Sequence, residues 1–388
     1  MVYNRVMLPL LNHRLLLEDV ILKRTVLCLL CLSFLLVVPV KAEQAPQRGL
    51  FVSVAQDPSV FSSRKDIINL VDFAKRAHIN VLFVQIYRAD QAWFPSKMAD
   101  ATHYETCRKG LSGDPFGFLI REAHRQGLQV HAWLNLLSLG NNKGALFLKK
   151  YGPEILTRNL KRKKKLEDYK IDGQYFLEPG DPRVGQDLSR IVEEILRAYP
   201  DLDGIQFDYI RYPDTRPAYG YTKINIERFK KKMGRQAVDE NNAVWRQWKR
   251  DQVTGLLRRL VKKTRELRPN IKISTTACVS YTRAYREAFQ DWPSWLNSRL
   301  VDFVTIMDYS DEIPRFEKNI LEAKQKVLNF SKVNIAEGAY KLENSPSVFV
   351  HEFNICEKSG GGACVVFHYG SLLKNPALRS YLINGTKP

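Results

Sequence analysis

Asp203-Gly204-Ile205-Gln206-Phe207-Asp208-Tyr209-Ile210-Arg211-Tyr212-Pro213 is a short apolar run that opens on an acidic turn and is stopped by a proline. Residues 204–210 are rich in Ile, Phe and Tyr at neighbouring positions, the pattern of a strand covered on both faces, as parallel strands are. Two polar side chains interrupt it, Gln206 and Asp208. Residues two apart on a strand share a face, and an unpaired carboxylate is costly to bury in an apolar wall. Asp208 is therefore expected to point, with Gln206, into the interior of whatever this strand helps to enclose. Asp203 belongs to the turn before it.

Seven further runs of this kind lie at residues 49–54, 81–87, 129–135, 272–278, 302–309, 333–340 and 363–369. Helical patterns separate them, among them residues 64–78, 115–126, 186–199 and 244–267. Pro115 and Gly127 mark the two ends of one, and Pro200 and Pro269 stop two others. Eight strand-like runs alternating with helices predict an α/β fold, a (β/α)8 TIM barrel, as a single domain over residues 43–388. A doubly wound open sheet would need a glycine-rich phosphate turn after its first strand, and Val54-Ala55-Gln56-Asp57-Pro58 is not one. Residues 157–172 read as a charged excursion from the loop after the third strand. Its run Lys161-Arg162-Lys163-Lys164-Lys165 is a candidate contact for an anionic cell-envelope polymer. Trp245 and Trp248, on an amphipathic helix, are expected to pack that helix onto the barrel.

At 388 residues, 45% hydrophobic and 26% charged, the chain can bury one large core. Aromatic residues at 11% and a mean hydropathy of -0.30 exclude intrinsic disorder and a polytopic membrane protein. The formal charge of +19 points to anionic surroundings. Nucleic acid is not the expected partner, since no binding motif accompanies the charge. Ahead of the barrel, Lys23-Arg24 precedes an apolar run to Val38, and small residues lead to Ala42. That is a secretory signal peptide over residues 1–42. Its run is short of the ~20 residues that span a bilayer, so no membrane span is expected after cleavage. Five basic and two acidic residues leave with it, and the mature chain stays near +16. An exported chain permits disulfides, and Cys356 and Cys364 bracket a glycine-rich loop that one bridge would close. No cysteine or histidine spacing is that of a zinc site, so neither metal nor cofactor is expected.

In a barrel of this kind the active site forms at the C-terminal ends of the strands. The second run ends in Gln85-Ile86-Tyr87-Arg88-Ala89-Asp90 and the third in His131-Ala132-Trp133-Leu134-Asn135. The fourth offers Asp208 and Arg211, and the fifth runs out in Thr275, Thr276 and Cys278. The last three end in Asp308-Tyr309, Glu337-Gly338-Ala339-Tyr340 and His368-Tyr369. Carboxylates, aromatics and amides on one rim suit a sugar: rings stack on pyranose C–H faces, amides and Arg bind hydroxyls, and paired carboxyl groups do the bond chemistry.

With these residues in view the chain resembles the family-10 glycosyl-hydrolase-like proteins. The signature is Asp203-Gly204-Ile205 followed by Asp208-Tyr209-Ile210-Arg211-Tyr212-Pro213. Asp90-Gln91-Ala92-Trp93-Phe94-Pro95, His131-Ala132-Trp133-Leu134-Asn135, Asp181-Pro182, Gln290-Asp291-Trp292-Pro293, Met307-Asp308-Tyr309 and Gly338-Ala339-Tyr340 complete it, over roughly residues 48–370. The resemblance implies an exported bacterial barrel related to enzymes of envelope glycan turnover. The fourth strand is also similar to that of family-18 chitinases. There, however, Gln206 replaces a motif Asp and Ile210 the acid Glu, so their substrate-assisted mechanism does not carry over.

The expected function is an exported glycoside hydrolase acting on an envelope or extracellular polysaccharide, including peptidoglycan glycan strands. Asp208 is the expected nucleophile or base, with Asp308, Glu337 or Asp90 as acid. Tyr87, Arg88, Asp90, Asn135, Arg211 and His368 are expected to bind substrate, with Trp133 and Tyr309 as stacking platforms. His131 reads as a core histidine. Two alternatives stay open: a salt bridge from Asp208 to Arg211 or Arg88, and a barrel that binds carbohydrate without cleaving it.

Overall fold

The structure, a computed structural model, describes residues 47–161, 163–214 and 219–385. The leader read over residues 1–42 and Arg162 of the basic run lie outside them. The sequence folds as eight parallel strands: β1 (Gln47–Val52), β2 (Val81–Arg88), β3 (Gln129–Asn135), β4 (Gly204–Asp208), β5 (Lys272–Cys278), β6 (Phe303–Asp308), β7 (Val333–Gly338) and β8 (Ala363–Phe367). Each pairs with the next, and β1 pairs with both β2 and β8, so the sheet closes on itself. After each strand in turn comes a helix on the outside: α1 (Arg64–Arg76), α2 (Pro115–Arg125), α3 (Pro182–Ala198), α4 (Ala243–Leu267), α5 (Trp292–Asn297), α6 (Ile313–Lys326), α7 (Pro346–Lys358) and α8 (Pro376–Asn384). This is the (β/α)8 barrel read from the sequence.

Alternation along the strands fills the ring. Phe51, Phe83, Trp133, Ala336 and Val365 form an inner cluster, with the Phe51 ring 5.1 Å from Phe83 and 4.9 Å from Trp133. Intervening residues such as Leu50, Val84, Ile205, Ile306 and Ile335 face the helices in the larger core. Near the base His131 is buried against Phe83 and Phe303, neither ring nitrogen has a protein partner, and burial lowers its pKa to about 4. It is a core histidine, as the sequence suggested, and it is neutral, but no hydrogen bond among the described residues satisfies it.

The His131 ring lies where a side chain at residue 204 would begin: a Cβ there would come within 2.3 Å of it. Walled in by two phenylalanines, the ring has little room to yield. Gly204→Ala is therefore expected to destabilise the fold by about 3 kcal/mol, measured as a lowered urea midpoint. An unchanged midpoint would show that the close approach is harmless.

Helix α4 corrects one expectation. At ~1.5 Å per residue its 25 residues outrun the barrel wall. Only its later turns, with Val253, Leu256, Leu257 and Leu260, join the barrel core. Trp245 and Trp248 sit on the overhang and pack against the helix Lys223–Met233, Trp245 being 4.9 Å from Phe229 and the Trp248 indole donating to Asn225 Oδ1 at 2.8 Å.

Asp203 does sit in the turn before β4, its carboxylate accepting from the Val130 amide at 2.8 Å. Cys356 and Cys364 are bridged, tying the last turn of α7 to the start of β8, while Cys107 and Cys278 are free thiols. Residues 157–172 belong to the long β3–α3 connection, in which Ser138–Gly140 pairs antiparallel with Tyr175–Phe176. Among the described residues no helix is long and apolar enough to cross a membrane.

Candidate active site at the mouth of the barrel

The C-terminal ends of the strands surround a cavity of about 670 Å³. Asp208, the last residue of β4, faces it. Gln206, two residues earlier, also points inward and donates from Nε2 to Thr305 Oγ1 across the barrel at 2.9 Å, so the shared face read from the sequence is the interior one.

Three donors hold the Asp208 carboxylate. Trp133 Nε1 donates to Oδ2 at 2.9 Å, while the Thr276 hydroxyl and the Tyr209 amide, the latter at 2.7 Å, donate to Oδ1. The Tyr209 contact needs a sharp bend, and Tyr209 takes φ of +57°, in the left-handed region that non-glycine residues rarely visit. That bend ends β4 at Asp208, two residues short of the apolar run. Among the described residues no guanidinium pairs with Asp208. Arg211 instead bonds Asp214 at 2.9 Å and lies 4.8 Å over the Tyr209 ring, and Arg88 is exposed at the cavity without a carboxylate partner among the described residues.

The rest of the lining is neutral and rich in donors. Asn135 accepts from Gln85 at 3.2 Å through Oδ1, and Gln85 accepts from Ser53 at 3.0 Å, which leaves the Asn135 amide N–H groups for a ligand. His368 Nδ1 accepts from the Gly370 amide at 3.1 Å. Its ring proton must then sit on Nε2, and burial lowers its pKa, so at neutral pH it offers one N–H donor and no charge. Burial, with the nearby Asp208 charge, pushes the Tyr309 phenol well up and keeps it a hydroxyl. The Tyr309 ring packs 4.9 Å from Phe367, on the opening left by Gly338, where a Cβ would come within 2.9 Å of Tyr309 Cβ and 3.2 Å of its ring.

Thus Asp208, Arg88, Trp133, Asn135, Tyr309 and His368 come together at one cavity, and the remaining candidates do not. Asp308 and Glu337 were expected at the mouth. They are out of phase with the inward Phe303, Thr305 and Ala336, face the helical layer, and stand side by side in the β6–β7 register. Asp308 accepts from Asn319 of α6 at 2.9 Å, and neither Glu337 oxygen has a partner. Asp90 is fully buried, accepting from the Tyr87 hydroxyl and the Phe147 amide, each at 3.1 Å. It ties the end of β2 to the helix Leu146–Tyr151, and burial raises its pKa to about 6. Tyr87 serves Asp90 rather than the cavity, and Arg211 serves the bend at Tyr209. Trp133 also differs from expectation: with its ring packed on Phe51 and Phe367, its contribution is the indole N–H on Asp208.

Several lining residues were not singled out beforehand. Gln174 reaches the mouth because the hairpin in the β3–α3 connection folds over it, held by Ser138 Oγ at 2.8 Å. Nothing local to Gln174 signals that placement. Thr276, noted only as a strand end, proves to orient Asp208.

This orientation is testable. Trp133→Phe keeps the aromatic packing and removes one donor, and is expected to cut turnover on the order of 10²-fold, as misplacement of a reacting group does. Unchanged turnover by Trp133→Phe would mean that the indole bond does not position Asp208. Chemically, the cavity combines one fixed carboxylate, neutral N–H and O–H donors, the Arg88 guanidinium and aromatic edges, the set a polyhydroxylated ring can occupy.

Comparison with known proteins agrees. Glycosyl hydrolase DigH of Escherichia coli (strain K12) is 24% identical over 261 residues, covering 63% of this chain and 57% of DigH. Glycosyl hydrolase YngK of Bacillus subtilis (strain 168) is 23% identical over 315 residues, covering 74% of this chain and 58% of YngK. The matches thus span somewhat over half of each relative. Among solved structures, the catalytic domain of the Paenibacillus polymyxa β-amylase superposes with a TM-score of 0.58 at 13% identity, covering 88% of this chain and 99% of that one. The endo-1,4-β-D-mannanase of Thermotoga petrophila RKU-1 gives 0.50 at 11%, covering 83% and 88%. At such identities the structural likeness shows the fold alone. Residues 48–343, which carry β1 to β7 and with them every cavity residue named above except Phe367 and His368, match the family described as glycosyl hydrolase-like 10, and to that family this chain belongs.

Proposed function

We propose that the protein is an exported glycoside hydrolase that cleaves an envelope or extracellular polysaccharide, with the glycan strands of peptidoglycan among its substrates. The observation that carries this is the Asp208 carboxylate, fixed by three donors at the open end of a barrel of glycosidase architecture and paired with no guanidinium among the described residues. Asp208 would stabilise or attack the anomeric carbon as positive charge develops there. Arg88, the Asn135 amide and the His368 Nε2–H would bind hydroxyl or acylamino groups. Asp308, Glu337 and Asp90 are turned away from the mouth, so none of them is assigned the proton for the leaving oxygen. Export is supported by the apolar leader pattern in residues 23–42 and by the Cys356–Cys364 bridge, which suits an oxidising compartment.

One observation favours a second reading, a barrel that binds glycan without cleaving it: Asp208 is the only carboxylate among the described residues lining the cavity. The two readings part in one experiment. Purified protein is incubated with peptide-free and native glycan strands and with neutral polysaccharides, and new reducing ends are sought by mass spectrometry. Product from any of them supports hydrolysis; binding without product supports the second reading.

A further inference from the structure

The mouth is not a closed bowl. On one flank it continues, past Arg88 and Gly140, into a depression where the Trp93 and His103 rings stack 4.5 Å apart. On the other it passes Met307 and Tyr309 into a groove of about 920 Å³ between the ends of β5 and β6 and helix α6. Met307 and Tyr309 line both the mouth and this groove, so the two are continuous. The whole forms a cleft across the C-terminal face with Asp208 near its middle, a shape suited to a chain lying across it.

The groove has its own chemistry. Arg315 and Lys318, three residues apart on α6 and so on one face of it, project with Lys341 of the loop after β7, and all three are exposed. None forms an ion pair with a described residue. Arg283, also on the groove wall, is already paired, at 2.5 Å to Asp214. Leu321 adds an exposed apolar surface. The acidic groups facing the groove are accounted for. Glu322 uses both oxygens on the Tyr281 and Thr282 amides. Asp308 lies buried at the back, bonded to Asn319, where burial pushes its pKa up to about 7 and weakens its charge.

We propose that this groove is a subsite of the same cleft for the anionic substituent, carboxylate or sulfate, of a glycan chain that leaves the mouth across Tyr309. The inference rests on the glycosidase reading and adds the substrate class, an acidic polysaccharide bound on both sides of the reacting sugar. Arg315 supplies the planar fork that grips a carboxylate or sulfate through two N–H bonds, and Lys318 and Lys341 supply less directional positive charge. Tyr309 is the threshold between the subsites, its ring set edge-on to the exposed Tyr340 at 5.8 Å.

Binding to the full chain carrying Asp208→Asn, measured by isothermal titration calorimetry, tests it. The probes are a neutral hexasaccharide (chitohexaose), a carboxylated one (hyaluronan) and a sulfated one (chondroitin sulfate). At low salt at least one acidic probe is expected to bind roughly tenfold more tightly than the neutral one, and the preference should shrink as salt screens it. Chondroitin sulfate carries carboxylates too, so tighter binding of it than of hyaluronan assigns the sulfate, and equal binding of the two assigns the carboxylate. Adding Arg315→Ala, Lys318→Ala and Lys341→Ala should erase the preference. Equal binding of neutral and acidic probes, or a preference that survives the triple substitution, overturns the groove while leaving the glycosidase reading standing. If none of the three probes binds, the groove fails and the sugar-binding mouth fails with it.

Discussion

Asp208→Asn is expected to lower the release of reducing ends from glycan strands by at least ~10³-fold, the scale on which loss of a reacting group is felt, while the barrel remains folded. The substitution is nearly isosteric and trades one acceptor oxygen for an NH2 group. The Thr276 hydroxyl can reverse and accept, but either the Trp133 indole or the Tyr209 amide is left facing a donor. An unmatched buried donor costs about 1–3 kcal/mol, a tolerable loss for a barrel of this size. Activity and stability should therefore separate, with turnover gone and the urea midpoint only modestly lowered. Equal product from both proteins would remove Asp208 from the chemistry.

The second large effect lies on the other side of the β-sheet. Asp308 and Glu337, adjacent in register, meet Glu352 of α7 in the layer between the barrel and its helices. All three are buried, and five of their six carboxyl oxygens have no protein partner. Burial first, and then the neighbouring carboxylates, raise Glu337 well above the usual range, while burial and Asp308 bring Glu352 to about 8. Asp308 rises to about 7, opposed only by Asn319 and the more distant Arg315. In the unfolded chain these groups ionise near pH 4. Between pH 4 and 8 the folded state thus holds protons that the unfolded state has released, and stability falls as pH rises through that window. At about 1.4 kcal/mol per pH unit, Asp308 and Glu352 together are expected to cost roughly 6 kcal/mol from pH 5 to pH 8, and Glu337 adds to that loss. Glu337→Gln or Glu352→Gln, neutral at every pH, should flatten the slope and stabilise the protein at pH 8. Urea unfolding of wild type and variants at both pH values checks this; a variant whose loss matches wild type would show that the cluster is not the cause.

The eight strands are legible because a parallel strand covered on both faces must be apolar throughout, and such runs stand out against amphipathic helices. The same property hides which side chains point inward. In β6 and β7 only Thr305 and Asn334 mark a face, each three positions before the carboxylate, so Asp308 and Glu337 read as rim residues although that phase turns them toward α6 and α7. Asp208 escaped the ambiguity because Gln206, two positions back, marked the interior side. Trp133 lines the mouth, but a sequence does not reveal that its indole N–H is the edge that meets Asp208. Gln174 and the bend at Tyr209 depend on a hairpin crossing and a left-handed residue set by distant contacts. The charge surplus gave no hint that three cations without an ion-pair partner among the described residues line a single groove.

The ring is closed by its two extremes: Gln47 of β1 lies beside Ala363 of β8 in the same register. Until residues 363–367 are available to pair, β1 and β7 each present a row of unsatisfied amides to any passing strand. Closure of the ring thus waits for β8, and a chain truncated before β8 should be captured by chaperones or aggregate rather than form a smaller barrel.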